Sequence, residues 1–432
     1  MGFDVFELRE KVVGEYRDYV ESFVNILDER INEFVRSKLN EGELWPDAVL
    51  QLNPAYEEGE RLSVLANRGV ITRETARFFG DLLLHKHQEE ALDIAHRGES
   101  YVVSTGTGSG KSLTYLLPIV DHIFRNLDAK PGVCALIVYP MNALINSQLE
   151  ALERYKQKNW PDCPLRFARY TGQEDDQVRQ SIVDNPPHIL LTNYVMLEYL
   201  LVRAYERTLV EQMTRALRFL VLDELHVYRG RQGADVAMLL RRVRQRVGHN
   251  LQVIGTSATI ASEGDRDARR ERIAKVGSTL FGVEIKKENV VDETLRRVAT
   301  VPVPRPGAEL RGAVELPPPK PTFEAVRSHP LAAWVEEAFG LASEGDRLIR
   351  RSPVTFTDGL KRLVDESGLP EELCRERLKA VLDAGNQAQM PSTGEPVFAF
   401  RLHQFLASGS SVFATIEHPD VRELTTEGQY SL

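Results

Sequence analysis

A short apolar run, Tyr101-Val102-Val103-Ser104, leads into Thr105-Gly106-Thr107-Gly108-Ser109-Gly110 and then Lys111-Ser112. A glycine-rich turn at the end of a strand lets backbone N–H groups close around phosphate oxygens, because no Cβ stands in the way. A helix opening near Gly110 adds the partial positive charge of its amino terminus. Lys111 is then expected to reach the β- and γ-phosphates of a nucleoside triphosphate, ATP, and Ser112 to place its hydroxyl on Mg2+. The strict pattern asks for glycine at position 105, where this chain has threonine. The bland alternative is an ordinary turn before a helix. Gly-Lys-Ser falling where a strand becomes a helix argues for the phosphate loop.

Asp223-Glu224-Leu225-His226 follows a second apolar run, Phe219-Leu220-Val221-Leu222. Phosphoryl transfer needs mainly positioning and charge neutralisation. An acid that holds Mg2+, usually through water (Asp223), beside one that orients the attacking water (Glu224) supplies both. Ser257-Ala258-Thr259 lies past a further apolar run, and its hydroxyls are expected to bond the carboxylates and relay nucleotide state. His226 is the expected link to them, with a satisfied polar residue as the alternative. Gln88 precedes Lys111 by 23 residues, and its amide can both donate to and accept from adenine.

These residues need a frame that brings strand ends together. Over 81–300, apolar runs at 101–104, 134–139, 188–191, 219–222 and 251–255 alternate with helical stretches. Runs that are apolar on both faces suit a parallel sheet covered by helices on both sides. Ligands of such sheets bind at the carboxyl ends of the strands, where every motif above sits. The fold class expected is therefore α/β.

The flanks differ in texture. Over residues 1–80, Val5, Leu8, Val12, Tyr16, Val20, Phe23, Leu27, Ile31 and Phe34 recur at helical spacing, and Leu52-Asn53-Pro54 breaks the pattern. That segment holds 10 basic and 16 acidic residues, a balance of −6, and reads as a helical accessory domain. Residues 301–330 contain eight prolines and read as a stiff linker. Residues 331–432 return to helical patterns, with a strand expected at 397–400, and read as a small helical or winged-helix-like insertion.

The net charge of −9 excludes a uniformly basic coat but not a local groove, since phosphate contacts need only a patch. Arg229, Arg231, Arg241, Arg242, Arg244 and Arg246 offer one candidate, with a solvated helix face as the alternative. Cys134, Cys163 and Cys374 form no CxxC pair, so neither a zinc site nor a disulfide framework is encoded. No apolar run is long enough to span a bilayer. A cytoplasmic protein with no membrane partner is expected.

Together these elements resemble superfamily 2 DExH helicases, and most closely the MrfA/YprA-like branch with its DrmA- and DruE-like relatives in anti-phage systems. The resemblance is carried by His87-Gln88 with Glu90-Ala91, by Thr105 to Ser112, and by Tyr139-Pro140-Met141-Asn142-Ala143-Leu144 with Gln148. Its most specific string is Asp223-Glu224-Leu225-His226-Val227-Tyr228-Arg229-Gly230, followed by Gly233 and Arg241-Arg242. It is strong over about 85–300. It implies a RecA-like domain, ATP with Mg2+ as cofactors, and single-stranded or partly duplex DNA as partner. Pro140, Thr171, Gly172, Thr192 and Asn193 then fall on loops expected to grip one strand through phosphates, which position it without reading sequence.

The same resemblance implies a second RecA-like domain with an arginine-rich motif VI and, in large members, a cysteine cluster. No such strings follow Thr259. The expectation is a truncated chain, a split gene, or a chain completed by the rest of the polypeptide or by a partner, with defence-system proteins as further partners. Two other readings stay open: a nucleotide-gated recruitment module that does not translocate, and an RNA helicase, since phosphate contacts do not involve the 2′-hydroxyl.

Overall fold

Seven strands, all parallel, form the central sheet: β1 (Tyr101–Ser104), β2 (Ala135–Tyr139), β3 (Phe167–Tyr170), β4 (Ile189–Asn193), β5 (Phe219–Leu222), β6 (Gln252–Ser257) and β7 (Val290–Asp292), in the order β7-β1-β6-β5-β2-β4-β3. The structure is a computed structural model that describes residues 5–106, 108–127, 132–204, 206–248, 251–258, 265–345, 347–407, 411–418 and 421–427. Thr107 and Thr259 lie outside the described residues. Successive strand residues point to opposite faces. Leu136, Val138, Leu220 and Leu222 accordingly enter one buried core, while Ala135, Ile137, Phe219 and Val221 enter another. Both faces are covered, so the strands read as continuous apolar runs. The α/β, RecA-like architecture expected from the sequence is what is found.

The helices that frame the site are α1 (Lys86–His96), α2 (Lys111–Arg125), α3 (Asn142–Asn159), α4 (Tyr194–Val202), α5 (Gly230–Val247) and α6 (Arg266–Phe281). Helix α2 carries Pro118 in its interior. Proline has no N–H, so the carbonyl four residues earlier, that of Thr114, loses its helical donor. The fully buried Tyr101 of β1 donates its hydroxyl to that carbonyl at 2.6 Å. The defect in the helix is thus repaired from the strand that feeds the phosphate loop.

By contacts the chain forms two units, Tyr56–Thr294 and Met1–Ala55 with Leu295–Leu432. This differs from the four consecutive segments expected. Residues 56–80 belong with the central sheet: Leu62, Leu65, Ile71, Phe78 and Phe79 are buried in the same core as Tyr101 and Tyr115. The predicted long amphipathic run is two helices, Val5–Phe23 and Glu29–Asn40. Asp28 starts the second, its side chain accepting from the Ile31 amide at 3.0 Å, as an N-cap does.

The proline-rich segment is not an extended linker. It contains helices Ala308–Glu315 and Phe323–Arg327, with Leu310, Ala313, Val314 and Val326 buried. Pro330 sits in the first turn of helix Pro330–Val335, where its missing N–H costs nothing. In this second unit, strand Val49–Asn53 pairs antiparallel with Val354–Thr355 on one side and Ala399–His403 on the other. Their core includes Leu50, Leu52, Trp334, Phe339 and Leu378.

Candidate functional site

Strands β1 and β5 flank β6, so the turns after all three open on one end of the sheet. The phosphate loop follows β1. Gly110 caps α2 with φ +71°, a left-handed conformation natural to glycine. A Cβ there would also strike Gln88 Nε2 at 2.5 Å. Within the loop the Thr105 and Ser109 hydroxyls are 2.6 Å apart. The buried His87 ring places Nε2 2.9 Å from the Ser109 carbonyl oxygen.

Gln88 is only 2% exposed. Its Nε2 donates to the Gly110 carbonyl at 3.1 Å, and its Oε1 accepts from the His85 amide at 2.9 Å. In this structure both ends of the amide expected at adenine brace the phosphate loop.

Lys111 Nζ lies 3.3 Å from Glu224 Oε1. Glu224 has φ +54°, the only positive φ at a described non-glycine residue. Such strain persists where surroundings over-determine it, and it clusters at functional sites. The surroundings here are specific. The Glu224 amide donates to Thr256 Oγ1 at 3.2 Å, and its Oε2 accepts from the Ala258 amide at 3.2 Å. His226 Nδ1 is 3.2 Å from both Glu224 Oε2 and Ser257 Oγ. His226 thus joins DELH to the Ser257 hydroxyl, whereas the Glu224 carboxylate meets the Ala258 backbone amide and not, as expected, a hydroxyl of that turn.

Thr256 was not anticipated. Its hydroxyl donates to Asp223 Oδ1 while its oxygen accepts from Glu224. The available signal was a polar residue at the end of an otherwise apolar strand. Burial pushes the Asp223 carboxyl up to about 6, with the Glu224 charge adding to the effect against the Thr256 hydrogen bond and Lys111. Paired, shielded carboxylates of this kind suit a divalent cation.

The residues expected to grip a strand lie at the carboxyl ends of β2, β3 and β4, and their side chains are engaged otherwise than expected. Thr171 and Thr192 are fully buried. The Thr171 hydroxyl donates to Glu174, and that of Thr192 to the Tyr170 carbonyl at 2.7 Å. Asn193 caps α4 by accepting from the Met196 amide at 2.8 Å and donates to Asn142 at 2.8 Å. These side chains shape the turns. Gly172 is exposed, with open space where a Cβ would lie, and Pro140 is half-buried beside α3.

Three of the six arginines of the run are tied to backbone carbonyls, while Arg229, Arg231 and Arg242 are exposed. Arg241 donates to the Thr279 carbonyl at 2.7 Å, and Arg244 to those of Phe281 and Gly282 at 3.1 and 2.6 Å. Both close the carboxyl end of α6, where cations are favoured. Arg246 reaches the Leu201 carbonyl at 3.3 Å. The cysteines are free, and among the described residues no group of three or more His, Cys, Asp or Glu is placed to hold a metal ion by itself. No helix among the described residues is long and apolar enough to cross a membrane.

A parallel sheet with a phosphate loop after one strand and Asp-Glu after a strand two places away defines a P-loop nucleotide-binding domain. Residues 85–266 match the DEAD/DEAH box helicase family. That segment is similar to the helicase domains of several relatives. It is 27% identical to the Druantia protein DruE of Escherichia coli over 64% of this chain and 21% of that protein. It is 32% identical to the ATP-dependent helicase YprA of Bacillus subtilis over 41% of this chain and 23% of that protein. Among solved structures it is similar to the DUF1998 helicase MrfA bound to DNA, at 26% identity and a TM-score of 0.46, over 62% of this chain and 34% of that one. The chain thus spans about a fifth to a quarter of the length of these sequence relatives.

Proposed function

We propose that this chain is the ATP-binding half of an ATP-dependent DNA helicase or translocase motor, cytoplasmic and acting in anti-phage defence or DNA repair. The observation that carries the reading is the convergence of Lys111, Glu224 and Asp223 at neighbouring strand ends, with Glu224 held at positive φ. Lys111 exchanges Glu224 for the β- and γ-phosphates of ATP. Glu224, released from the ammonium, accepts a hydrogen bond from the attacking water and draws its proton away. Its amide and Oε2 stay tied to Thr256 and Ala258, which keeps the carboxylate aimed. Ser112 and, through water, Asp223 would hold Mg2+, which when bound would neutralise phosphate charge. His226, between Glu224 and Ser257, reports the state of the γ-phosphate to the turn after β6. Gln88 steadies the loop, and its amide would have to leave the Gly110 carbonyl and the His85 amide to recognise adenine.

The nucleic-acid strand runs over the turns after β2, β3 and β4, past Pro140, Thr171, Gly172, Thr192 and Asn193. The buried hydroxyls hold the turns, and the exposed backbone at Gly172 meets phosphates. DNA is favoured by the resemblance of the motifs to the MrfA/YprA-like helicases. A second RecA-like domain, from the same polypeptide or a partner, supplies the arginine that completes the site, a contribution of about 10³–10⁵ in rate in related motors.

Calorimetric titration with Mg2+ and a non-hydrolysable ATP analogue tests the site. The wild-type chain is expected to bind and Lys111→Ala to lose at least tenfold in affinity; equal binding by the two refutes the phosphate-loop reading. Turnover by this chain is expected to be slow and unresponsive to DNA. Robust DNA-stimulated hydrolysis would overturn the half-site reading. Parallel titrations of matched DNA and RNA strands at stated salt decide the substrate.

A further inference from the structure

Three donors that face the phosphate site are held by carboxylates. Lys111 Nζ and the Ala258 amide meet Glu224, at 3.3 and 3.2 Å. The Gly106 amide, inside the phosphate loop, donates to Glu293 Oε2 at 3.1 Å, across 187 residues of sequence. Glu224 has its part in the chemistry above. Glu293 belongs to no motif.

Its position is set by the sheet. Strand β7 pairs in parallel with β1, and Asp292 lies opposite Ser104. The residue after β7 therefore stands beside the first residues of the loop after β1. Both neighbours of Glu293 are anchored. Asp292 accepts from Arg266 at 3.0 Å and from Arg270 at 2.7 Å, and the Thr294 carbonyl accepts from the Glu57 amide at 2.9 Å. A glutamate between two pinned residues does not wander far from the loop.

A carboxylate that accepts from a backbone amide in a glycine-rich turn does there what a phosphate oxygen does: it is an anion satisfying an N–H. A triphosphate entering the same turn brings several negative charges into its vicinity. Like charges at such distances repel strongly where water is partly excluded. We propose that Glu293 is an affinity-setting residue of the nucleotide site, a built-in competitor that holds the Gly106 amide until the triphosphate displaces it. The inference rests on the reading of the Lys111 loop as an ATP site. Glu293 keeps the empty loop satisfied and lowers affinity for the most highly charged ligand. The opposite role, a carboxylate that binds the ribose hydroxyls of ATP, predicts the reverse effects.

The test is calorimetric titration of the full chain with Mg2+ and a non-hydrolysable ATP analogue, and with its 2′-deoxy counterpart. Wild type, Glu293→Gln, Glu293→Ala and Lys111→Ala are compared, each checked for folding by thermal denaturation. Removing a charge-assisted competitor should tighten binding on the order of tenfold in both Glu293 variants. The gain should be larger at low ionic strength and equal for the two analogues. Binding that Lys111→Ala abolishes but that both Glu293 variants leave unchanged or weaken overturns this inference alone. Weakening confined to the ribose analogue assigns Glu293 to the sugar and also overturns it. Binding absent from wild type, or indifferent to Lys111→Ala, overturns the ATP reading and this inference with it.

Discussion

A Cβ on Gly233 would stand 2.7 Å from the Tyr228 carbonyl oxygen, so α5 begins in direct backbone contact with the turn that follows DELH. Backbone cannot swing aside as a flexible side chain can. Gly233→Ala should therefore force a shift, destabilising the chain by about 1–3 kcal/mol. Chemical denaturation checks this; a loss below about 0.5 kcal/mol would show that the turn yields freely.

Tyr228 is 4% exposed, and its hydroxyl has no hydrogen-bond partner among the described residues. Its ring meets that of Tyr194 edge-on at 6.2 Å. A buried, unsatisfied hydroxyl is destabilising, while the ring is well packed. Tyr228→Phe should leave stability unchanged or raise it by up to about 1 kcal/mol. A clear fall in Tm would mean that the hydroxyl has found a donor or acceptor.

The Tyr101 hydroxyl and Pro118 should be energetically coupled. Tyr101→Phe strips the Thr114 carbonyl of its donor and should cost about 1–3 kcal/mol. Pro118→Ala restores a backbone N–H that can serve the same carbonyl. In that background the cost of Tyr101→Phe should fall markedly, and a double-mutant cycle measures the difference. Additive effects would refute the repair.

Acid should weaken the unit that holds the site. Burial, with the neighbouring His85 charge, holds the His87 imidazole down at about 4 against an ordinary value of 6.5. Between those pH values the unfolded chain takes up a proton that the folded chain refuses. The stabilisation is thus complete above pH 6.5 and is lost as pH falls towards about 4, by an amount on the order of 3 kcal/mol. Unfolding free energy measured across this range should fall less steeply for His87→Gln, which retains a donor for Ser109 without the titration. Identical slopes would exclude His87 as the source.

What could be read in the chain, and what could not, follows from sequence distance and burial. The interior strands β1, β2, β4, β5 and β6 are buried on both faces, and their apolar runs place them within two residues. The edge strands β3 and β7 passed unnoticed: Arg169 interrupts one, and the other is Val290-Val291-Asp292 alone. Edges tolerate charge and brevity because one side is open. The loop, DELH and the serine turn were legible because each is a local string at a strand end. Thr256 was half-visible as a polar residue in an apolar strand. Glu293 had no signal, since its relevance depends on β7 lying beside β1. Pairing of Val49–Asn53 with Ala399–His403 depends likewise on residues about 350 positions apart. Prolines misled, because in 301–330 they separate short packed helices.

The arginines spent on α6 and α4 have a consequence in solution. Cations locked onto carbonyls displace few condensed counterions when a nucleic acid docks. If the grip rests on exposed backbone N–H groups near Gly172 and not on the exposed Arg229, Arg231 and Arg242, its equilibrium constant should fall only gently with added salt. A plot of log affinity against log salt would then have a slope of only about one to three phosphates' worth. That would distinguish this surface from one built on a basic groove, and would let it keep hold of a strand at ionic strengths that strip electrostatic binders away.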